Sequence, residues 1–561
     1  PWCSKENDVI DTSSHKKEKK KVPLTVLLCP HCWSVWQYRG TLPENVNCPA
    51  CKKEYDPGKG NIPSKGDFLC LSCGSKDKII SSIRRQPKER LLPVRPYALE
   101  GYCPSCAGVT VENIFGDKVR VKGKVSHACN IRNNNGKFFK RISPPDLKRY
   151  QEAEKRWEEE KETLPYPKSE IPIGEKTKSG LIAHHYLYWH QMFNPRQLLC
   201  LSTLLKAIDE EGDQVLKEML LSGFYSTVES NNMFCRYTIS GGNKSQGIFS
   251  RHDFQPKSSF TENNPWGSNY GHSTFSSNYE KILKGKEFCN HPFDKQYVNG
   301  ETVNVLRDEI IEKNKGTNIF CGNSEKLDSR LRGNDEQTNT ASNSNLIITD
   351  PPYADNVNYA ELADFFYVWL RLILAKTYPQ FAPEITPKSE EIIENPTRGK
   401  TSEDYEKGLT EVWRRCNENL EDDGLMVFTF HHAEGSAWEA LLESICNAGF
   451  VIEAIYPIHG ESESSLHLQD KQAISYDLIH VCKKRMGTFS KGGDGRKRSW
   501  ATVRQEIRKK AREEIRLIEA GRYGSGRSEN LPAADVNIVL IGKCLELYSR
   551  HYGQIVDYKD E

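Results

Sequence analysis

The 561-residue chain contains no long apolar run. Nothing in it approaches the roughly 18 to 20 consecutive apolar residues of a membrane span, and no export leader opens it. No membrane partner is therefore expected, and the setting read from the sequence is cytoplasmic. Hydrophobic residues are only 37% and charged residues 27%, a polar and soluble composition on a chain too long for one ordinary domain. It also lacks an initiating methionine, opening on Pro1, so it is expected to be part of a longer protein. Net charge is nearly absent at +2, but the balance is uneven. Residues 1–150 hold 28 Lys+Arg against 14 Asp+Glu, and the remainder hold 50 against 62. Such asymmetry suits either a polyanionic partner for the basic part or a solvated basic surface.

Cysteine, by contrast, is plentiful. Eight of the 18 cysteines fall in four C-x-x-C pairs: Cys29/Cys32, Cys48/Cys51, Cys70/Cys73 and Cys103/Cys106. Without an export signal these read as metal ligands rather than disulfides. Each pair lies in a turn that lets two sulfurs approach one ion, and two pairs make a closed tetrahedral Zn²⁺ site. Fifteen residues lie between Cys32 and Cys48, and 29 between Cys73 and Cys103. Sequential pairing gives two zinc ribbons; an interleaved arrangement stays open. A closed site has no position for a substrate, so this zinc is structural. Trp33, Trp36 and Tyr38 suit either base stacking or the small core of a ribbon.

The rest divides by composition. Residues 1–22 read as a basic linker, 23–125 as the zinc-ribbon region, and 126–315 as a helical insert that includes a possible DNA-contacting segment. Within the insert, "DLKRYQEAEKRWEEEKETL" is helical but charged nearly all round, the pattern of a spacer. Residues 316–490 alternate short apolar strands with amphipathic helices, and 491–561 form a C-terminal helical extension. The alternation predicts strands at "NLIIT", "GLMVFTF", "FVIEAIYPI" and "YDLIHVCKK", with helices over 358–376, 403–420 and "AWEALLESICNAG". That is an α/β sheet, covered on both faces. The polar stretch 323–345 reads as a surface insertion.

One strand ends in chemistry. "NLIITDPPYADNVNY" runs an apolar strand into Asp350-Pro351-Pro352-Tyr353. Ligands of open α/β sheets bind at the carboxyl ends of the strands. Two prolines stiffen the turn and leave its carbonyls free to accept. An exocyclic base amine is a poor nucleophile, because its lone pair is delocalised into the ring. A carboxylate and a backbone carbonyl that both accept from it would favour the charge that develops on methylation. A tyrosine just beyond can stack on a base extruded from its helix.

"IITDPPY" resembles motif IV of the amino-group DNA methyltransferases, and "NIFCGN" at 318–323 resembles their donor-contacting strand and turn. With "FNPRQLLCLSTLLKAI", "SNNMFCRYTI", "FSRHDFQPKSSFTENNPWG", "DPPYADNVNYAELADFFYVWLR" and "FTFHHAEGSAWEALL", the chain is similar to the adenine-specific DNA methylases containing a zinc ribbon. Some members of that family are linked to phage defence. The resemblance implies a Rossmann-like S-adenosylmethionine-dependent methyltransferase domain with inserted zinc-ribbon and helical segments. It implies adenine N6 in DNA as the target; cytosine N4 or RNA would suit the same chemistry. Asp350 would accept from the amine, Pro351 would offer its carbonyl, Pro352 would stiffen the turn and Tyr353 would stack. Asn356, Tyr359 and His431 would line the substrate pocket, with His432 beside them. Gly322 and Asn323 would meet the donor.

The family's Gly-rich donor loop is missing from the sequence. It is expected in an upstream chain or segment, which makes this chain the central and catalytic part of a longer methylase. A zinc-ribbon remnant that binds nucleic acid without catalysis is the alternative that this absence raises.

Overall fold

The computed structural model describes all residues except 1–2, 11–20, 63–65, 71–72, 89–90, 92–93, 103–108, 113–117, 122–136, 239–243, 251, 257–259, 268–272, 299–300, 307–321, 327–343, 460–475, 486–496, 521–532 and 557–561. The chain forms two compact units, one of residues 1–308 with 364–385, the other of residues 309–363 with 386–561. These units divide the chain differently from the boundaries read from composition. Residues 364–385 belong with the first unit although they follow the Asp-Pro-Pro-Tyr turn. The extension 491–561 belongs within the second unit.

In the first unit, strands Cys3–Ile10, Lys21–Leu28 and Val35–Arg39 form a three-stranded antiparallel sheet in chain order. The stretch 1–22 is thus not simply a linker. It carries a strand laddered against "KVPLTVLL", whose β-branched residues favour pairing. The charged segment is helical over Pro144–Glu160, with Asp146 accepting from the Ser143 N–H at 2.9 Å and from Lys140 at 2.8 Å. It is not a free spacer, because Trp157 is buried and meets Tyr166 edge-on at 4.9 Å. One large aromatic suffices to anchor a helix that is otherwise polar all round. Helices Pro195–Asp209 and Gln214–Glu229 start at the N-caps Asn194 and Asp213, whose side chains accept from Gln197 N at 2.8 Å and Leu216 N at 2.9 Å. Between them Phe193 and Phe224 pack against Trp369, with ring centroids 5.3 and 5.7 Å away.

The second unit is built on four strands: β1 (Ser344–Thr349), β2 (Leu420–Phe430), β3 (Phe450–His459) and β4 (Tyr476–Lys484). All four fall where the hydrophobic alternation puts them. Their order is β1-β2-β4-β3; β1 and β2 are parallel, and the other two pairings are antiparallel. Among the described residues five α-helices accompany the sheet: α1 (Tyr359–Leu374), α2 (Ser402–Asn419), α3 (Gly435–Asn447), α4 (Trp500–Glu519) and α5 (Ala533–Arg550). Only the first five residues of α1 belong to this unit. Along β2, Met426, Phe428 and Phe430 point to one face, where Phe428 stacks on Trp413 at 5.2 Å and Phe430 meets Trp438 at 4.9 Å.

The two edges of the sheet differ. At β3, helix α5 lies alongside, Ser549 Oγ accepting from Ile452 N at 3.1 Å and Glu546 from Ile455 N at 2.7 Å. These bonds flank the register shift of β3 and satisfy edge amides that would otherwise invite pairing. At β1, no described strand pairs on the outer side, and Leu346 and Ile348 are 51% and 72% exposed. Among the described residues this strand is covered on one face only, against the expectation of two.

His480 on β4 is fully buried, stacked on Phe428 at 4.6 Å, with Nδ1 3.1 Å from the Leu478 carbonyl. Burial pushes its pKa down from 6.5 to about 3. Between those values the unfolded chain binds a proton that the folded chain refuses. Stability is therefore complete above about 6.5 and falls as pH drops, by up to about 1.4 kcal/mol per pH unit. His480→Phe is expected to flatten the fall in urea-unfolding midpoint between about pH 7 and about pH 5; an unchanged slope would place the acid sensitivity elsewhere.

Candidate functional site

Two constellations carry chemistry, one in each unit. In the first unit the ligand atoms of Cys29, Cys32, Cys48 and Cys51 lie within 4.8 Å of one another. Cys29 Sγ is 3.7 Å from Cys51 Sγ, and Cys32 Sγ is 3.6 Å from Cys48 Sγ. A tetrahedron with metal–sulfur bonds of about 2.3 Å has edges of about 3.8 Å, so the sulfurs already stand near the spacing of a closed thiolate site. The four cysteines form a cluster able to hold a metal ion such as zinc. The first two pairs thus join sequentially, resolving the open question of interleaving for this site.

Local backbone geometry explains why these turns bring sulfurs together. Cys29 N donates to Ser34 O at 3.0 Å and Trp33 N to Cys29 O at 3.0 Å; Cys48 N donates to Lys53 O and Lys52 N to Cys48 O, both at 2.9 Å. Trp33 and Lys52 each take the left-handed conformation at φ 62°, which closes the turn. Cys70 repeats the pattern, with Cys70 N on Ser75 O at 2.9 Å, Gly74 N on Cys70 O at 2.8 Å and Gly74 at φ 74°. This third turn has a glycine where the left-handed backbone requires it. Its expected partners Cys103 and Cys106 lie outside the described residues. Trp36 and Tyr38 pack with Leu27, Val46 and Tyr55 around the sulfurs, and Trp36 Nε1 donates to Tyr55 at 3.3 Å. Those two rings belong to the ribbon core, whereas Trp33 lies under the Arg95 guanidinium at 4.8 Å.

In the second unit, Asp350 follows the last residue of β1, at the carboxyl end of the parallel pair. Thr429 of β2 donates to Asp350 Oδ1 at 2.7 Å, and the Tyr353 hydroxyl reaches the same oxygen at 3.1 Å and Thr429 at 3.0 Å. This triangle fixes the carboxylate while leaving it exposed, and its second oxygen has no partner among the described residues. The Pro352 carbonyl is occupied by the buried Tyr405 hydroxyl at 2.7 Å. The Pro351 carbonyl, like Asp350 Oδ2, has no partner among the described residues. Ala354, buried and held at φ 48°, strains the backbone next to the motif.

Tyr353 is half-buried, its ring 5.2 Å from Phe430 and edge-on to His431 at 5.0 Å. Burial raises its phenol pKa despite the Thr429 contact. In this arrangement the ring is anchored through its hydroxyl rather than presented as a free stacking platform. Tyr359, 47% exposed, and the exposed Asn356 offer the open surface nearby in the chain. The Tyr359 phenol is raised by burial, with the Asp350 and Glu391 carboxylates adding to the shift, so the three acidic groups share one neighbourhood. Burial likewise raises Glu391, whose Oε1 accepts from Ala360 N at 2.8 Å while Oε2 is buried without a partner among the described residues.

The histidines divide in role. His431 is tied through Nδ1 to Asp477 of β4. His432 is buried; its Nδ1 accepts from Glu434 N at 3.1 Å, which assigns the proton to Nε2 and makes it the donor to Asp355 at 3.0 Å. His432 therefore braces the turn after Tyr353. Gly322 and Asn323 are not joined to this site by any contact among the described residues. Asn323 accepts from Glu325 N at 2.8 Å, and a Cβ built on Gly322 would meet nothing within 4 Å. Among the described residues no close backbone approach demands glycine there.

Sequence reading missed Thr429, Tyr405, Glu391 and Asp477. Thr429 alone left a signal, as a hydroxyl interrupting the apolar end of β2. A cleft of about 440 Å³, lined by residues including Glu325, Glu391, Lys400 and Asp404, includes none of Asp350, Tyr353 or His431 in its wall. Asp350 itself is exposed. No family model, no curated protein and no solved structure matches the chain.

Replacing Cys48 by serine is expected to remove one equivalent of metal per chain, measured by mass-spectrometric metal analysis of the purified protein. Cys289→Ser, at an exposed cysteine outside the cluster, is expected to leave the content unchanged. Equal metal in all three proteins would show that the cluster holds none.

Proposed function

We propose that the chain carries the acceptor half of an S-adenosylmethionine-dependent methyltransferase acting on the exocyclic amine of a base, adenine N6 in DNA, on a Rossmann-like domain. The observation that carries this reading is the pair of unoccupied acceptors at the carboxyl end of β1, Asp350 Oδ2 and the Pro351 carbonyl. Two acceptors on successive residues suit the two hydrogens of one amine. Accepting from both draws the nitrogen towards tetrahedral geometry and frees its lone pair. As the nitrogen gains positive charge, the fixed carboxylate stabilises it more than it stabilised the neutral amine, which is the condition for catalysis. Asp350 is also the group placed to take the proton that the methylated amine must lose.

Thr429 and Tyr353 act as positioning residues, because both hold Asp350 Oδ1 and so turn Oδ2 outward. Tyr405 serves the turn in the same way through Pro352. Asn356, Tyr359 and His431 supply the polar and aromatic surface against which an extruded base would rest. Zinc fills the four-cysteine cluster as a structural ion, and DNA is the partner that the basic first 150 residues would meet.

S-adenosylmethionine supplies the methyl group when bound, but the described residues do not form a cradle for it. Among the described residues nothing lies close to Gly322, and no described Gly-rich turn adjoins β1. The donor loop is therefore assigned to a further segment or chain. The same observation favours a second reading, a nucleic-acid-binding remnant without catalysis.

The test, made on the chain together with the segment or chain that carries the donor loop, is transfer of labelled methyl groups from S-adenosylmethionine to DNA and to RNA, followed by digestion to nucleosides. N6-methyladenine in DNA is the expected product, and Asp350→Asn is expected to lower the rate by at least about a thousandfold. Thr429→Val, which removes only the hydroxyl, is expected to cost about tenfold in rate with little change in unfolding midpoint. Transfer that survives Asp350→Asn would sink the proposal. Binding of DNA without any transfer, with the upstream segment restored, would establish the second reading.

A further inference from the structure

Helix α4 separates its charges in an unusual way. At 100° per residue, residues four apart fall in rows along one face. Val503, Ile507 and Ala511 form the buried row, and the first two pack against Leu547 of α5. On one flank stands the row Glu506, Lys510, Glu514, closed by ion pairs within the unit. Glu506 lies 3.3 Å from Arg498 and 3.9 Å from Lys510, and Glu514 lies 3.7 Å from Lys543. On the other flank stands a row of arginines alone, Arg504, Arg508, Arg512 and Arg516. All four are exposed, and none of their side chains forms an ion pair or hydrogen bond among the described residues.

An ordinary solvated helix face mixes signs at this spacing, because opposite charges four apart attract and like charges repel by about 0.2–0.5 kcal/mol per pair. Here three successive arginine pairs repel and the flanking Glu506 and Glu514 are already engaged; only Arg516, at the end of the row, has acids three residues away, Glu513 and Glu519. The arrangement makes sense if the compensating charge comes from outside. Its chemistry specifies the source: the planar guanidinium is the preferred fork for phosphate. The row advances in steps of about 6 Å and spans about 18 Å. Over that length one strand of a duplex presents about five phosphates. A lipid surface fits less well, because a helix that binds membranes must insert its apolar face. That face of α4 is already buried against α5.

We propose that Arg504, Arg508, Arg512 and Arg516 form a sequence-independent contact surface for the phosphate backbone of duplex DNA. The surface would hold DNA on the unit that carries Asp350, a role that sequence reading gave to the basic zinc-ribbon region. It stands without the methyl-transfer reading, because it needs phosphates and not a reactive amine.

The experiment measures binding of the full chain to a fluorescently labelled DNA duplex by anisotropy across a salt series, without methyl donor. Two variants are compared, one with all four arginines changed to glutamine and one with all four changed to lysine. Wild type is expected to lose affinity steeply with salt. The glutamine variant is expected to lower the slope of log K against log salt by about three to four, from roughly 0.9 per phosphate contact. That removes about a hundredfold of the affinity lost between about 50 and about 200 mM salt. The lysine variant is expected to keep most of the slope, and unchanged circular dichroism confirms folding in both. A glutamine variant with the wild-type slope would overturn the proposal. So would loss of binding to phosphatidylserine vesicles with DNA binding intact, which would assign the stripe to a membrane. Stripe-dependent DNA binding without methyl transfer would remove the preceding reading and keep this one. Methyl transfer with a wild-type slope in the glutamine variant would do the reverse.

Discussion

Everything in the second unit leans on strand β2. Its inward face sets Phe428 between Trp413 and His480 and Phe430 against Trp438, tying two helices and the neighbouring strand to one row of rings. Its partly buried side carries Thr429, whose hydroxyl holds Asp350. Its end delivers His431 to Asp477 and His432 to Asp355. A strand has a period of two, so packing and chemistry are interleaved residue by residue along the same backbone. A shift of one residue would turn the aromatics out and the hydroxyl in. The register against β1 is therefore the constraint that both the core and the carboxylate require.

The first unit solves a different problem. Its cysteine region has a small core, Leu27, Val46 and Tyr55 with Trp36 and Tyr38 against them, too slight to order a chain by hydrophobic burial alone. Backbone turns with a left-handed fourth residue after the first cysteine hold the sulfurs in place, and a metal ion would supply the missing cohesion. Order there comes from ligand geometry and in the second unit from ring packing.

Much of this was legible in the sequence, and the reasons are local. Strands β1 to β4 announced themselves by alternation, helices α2 and α3 by periodicity, and the first metal cluster by the spacing of its cysteines. What escaped was non-local. The bond from Tyr405 to the Pro352 carbonyl joins residues 53 apart, and the Thr429 contact to Asp350 joins residues 79 apart. Nothing in either neighbourhood marks the pairing. Composition likewise misled at 144–160, where a single tryptophan outweighs a surface of charge. It misled again at 364–385, whose polar and aromatic pattern gives no hint of the unit it joins.

That last segment has a consequence for how the protein is made. The first unit's core needs Phe365 and Trp369, which stack on Phe193 and meet Phe193 and Phe224. During synthesis these residues leave the ribosome only after the Asp-Pro-Pro-Tyr strand has emerged. The cysteine turns can close early, but the helical core must wait, open, while the first strand of the other unit is already present. Assembly order is thereby written into the chain: the aromatic core of the first unit can close once residue 385 has emerged, while the sheet of the second waits for β2, β3 and β4.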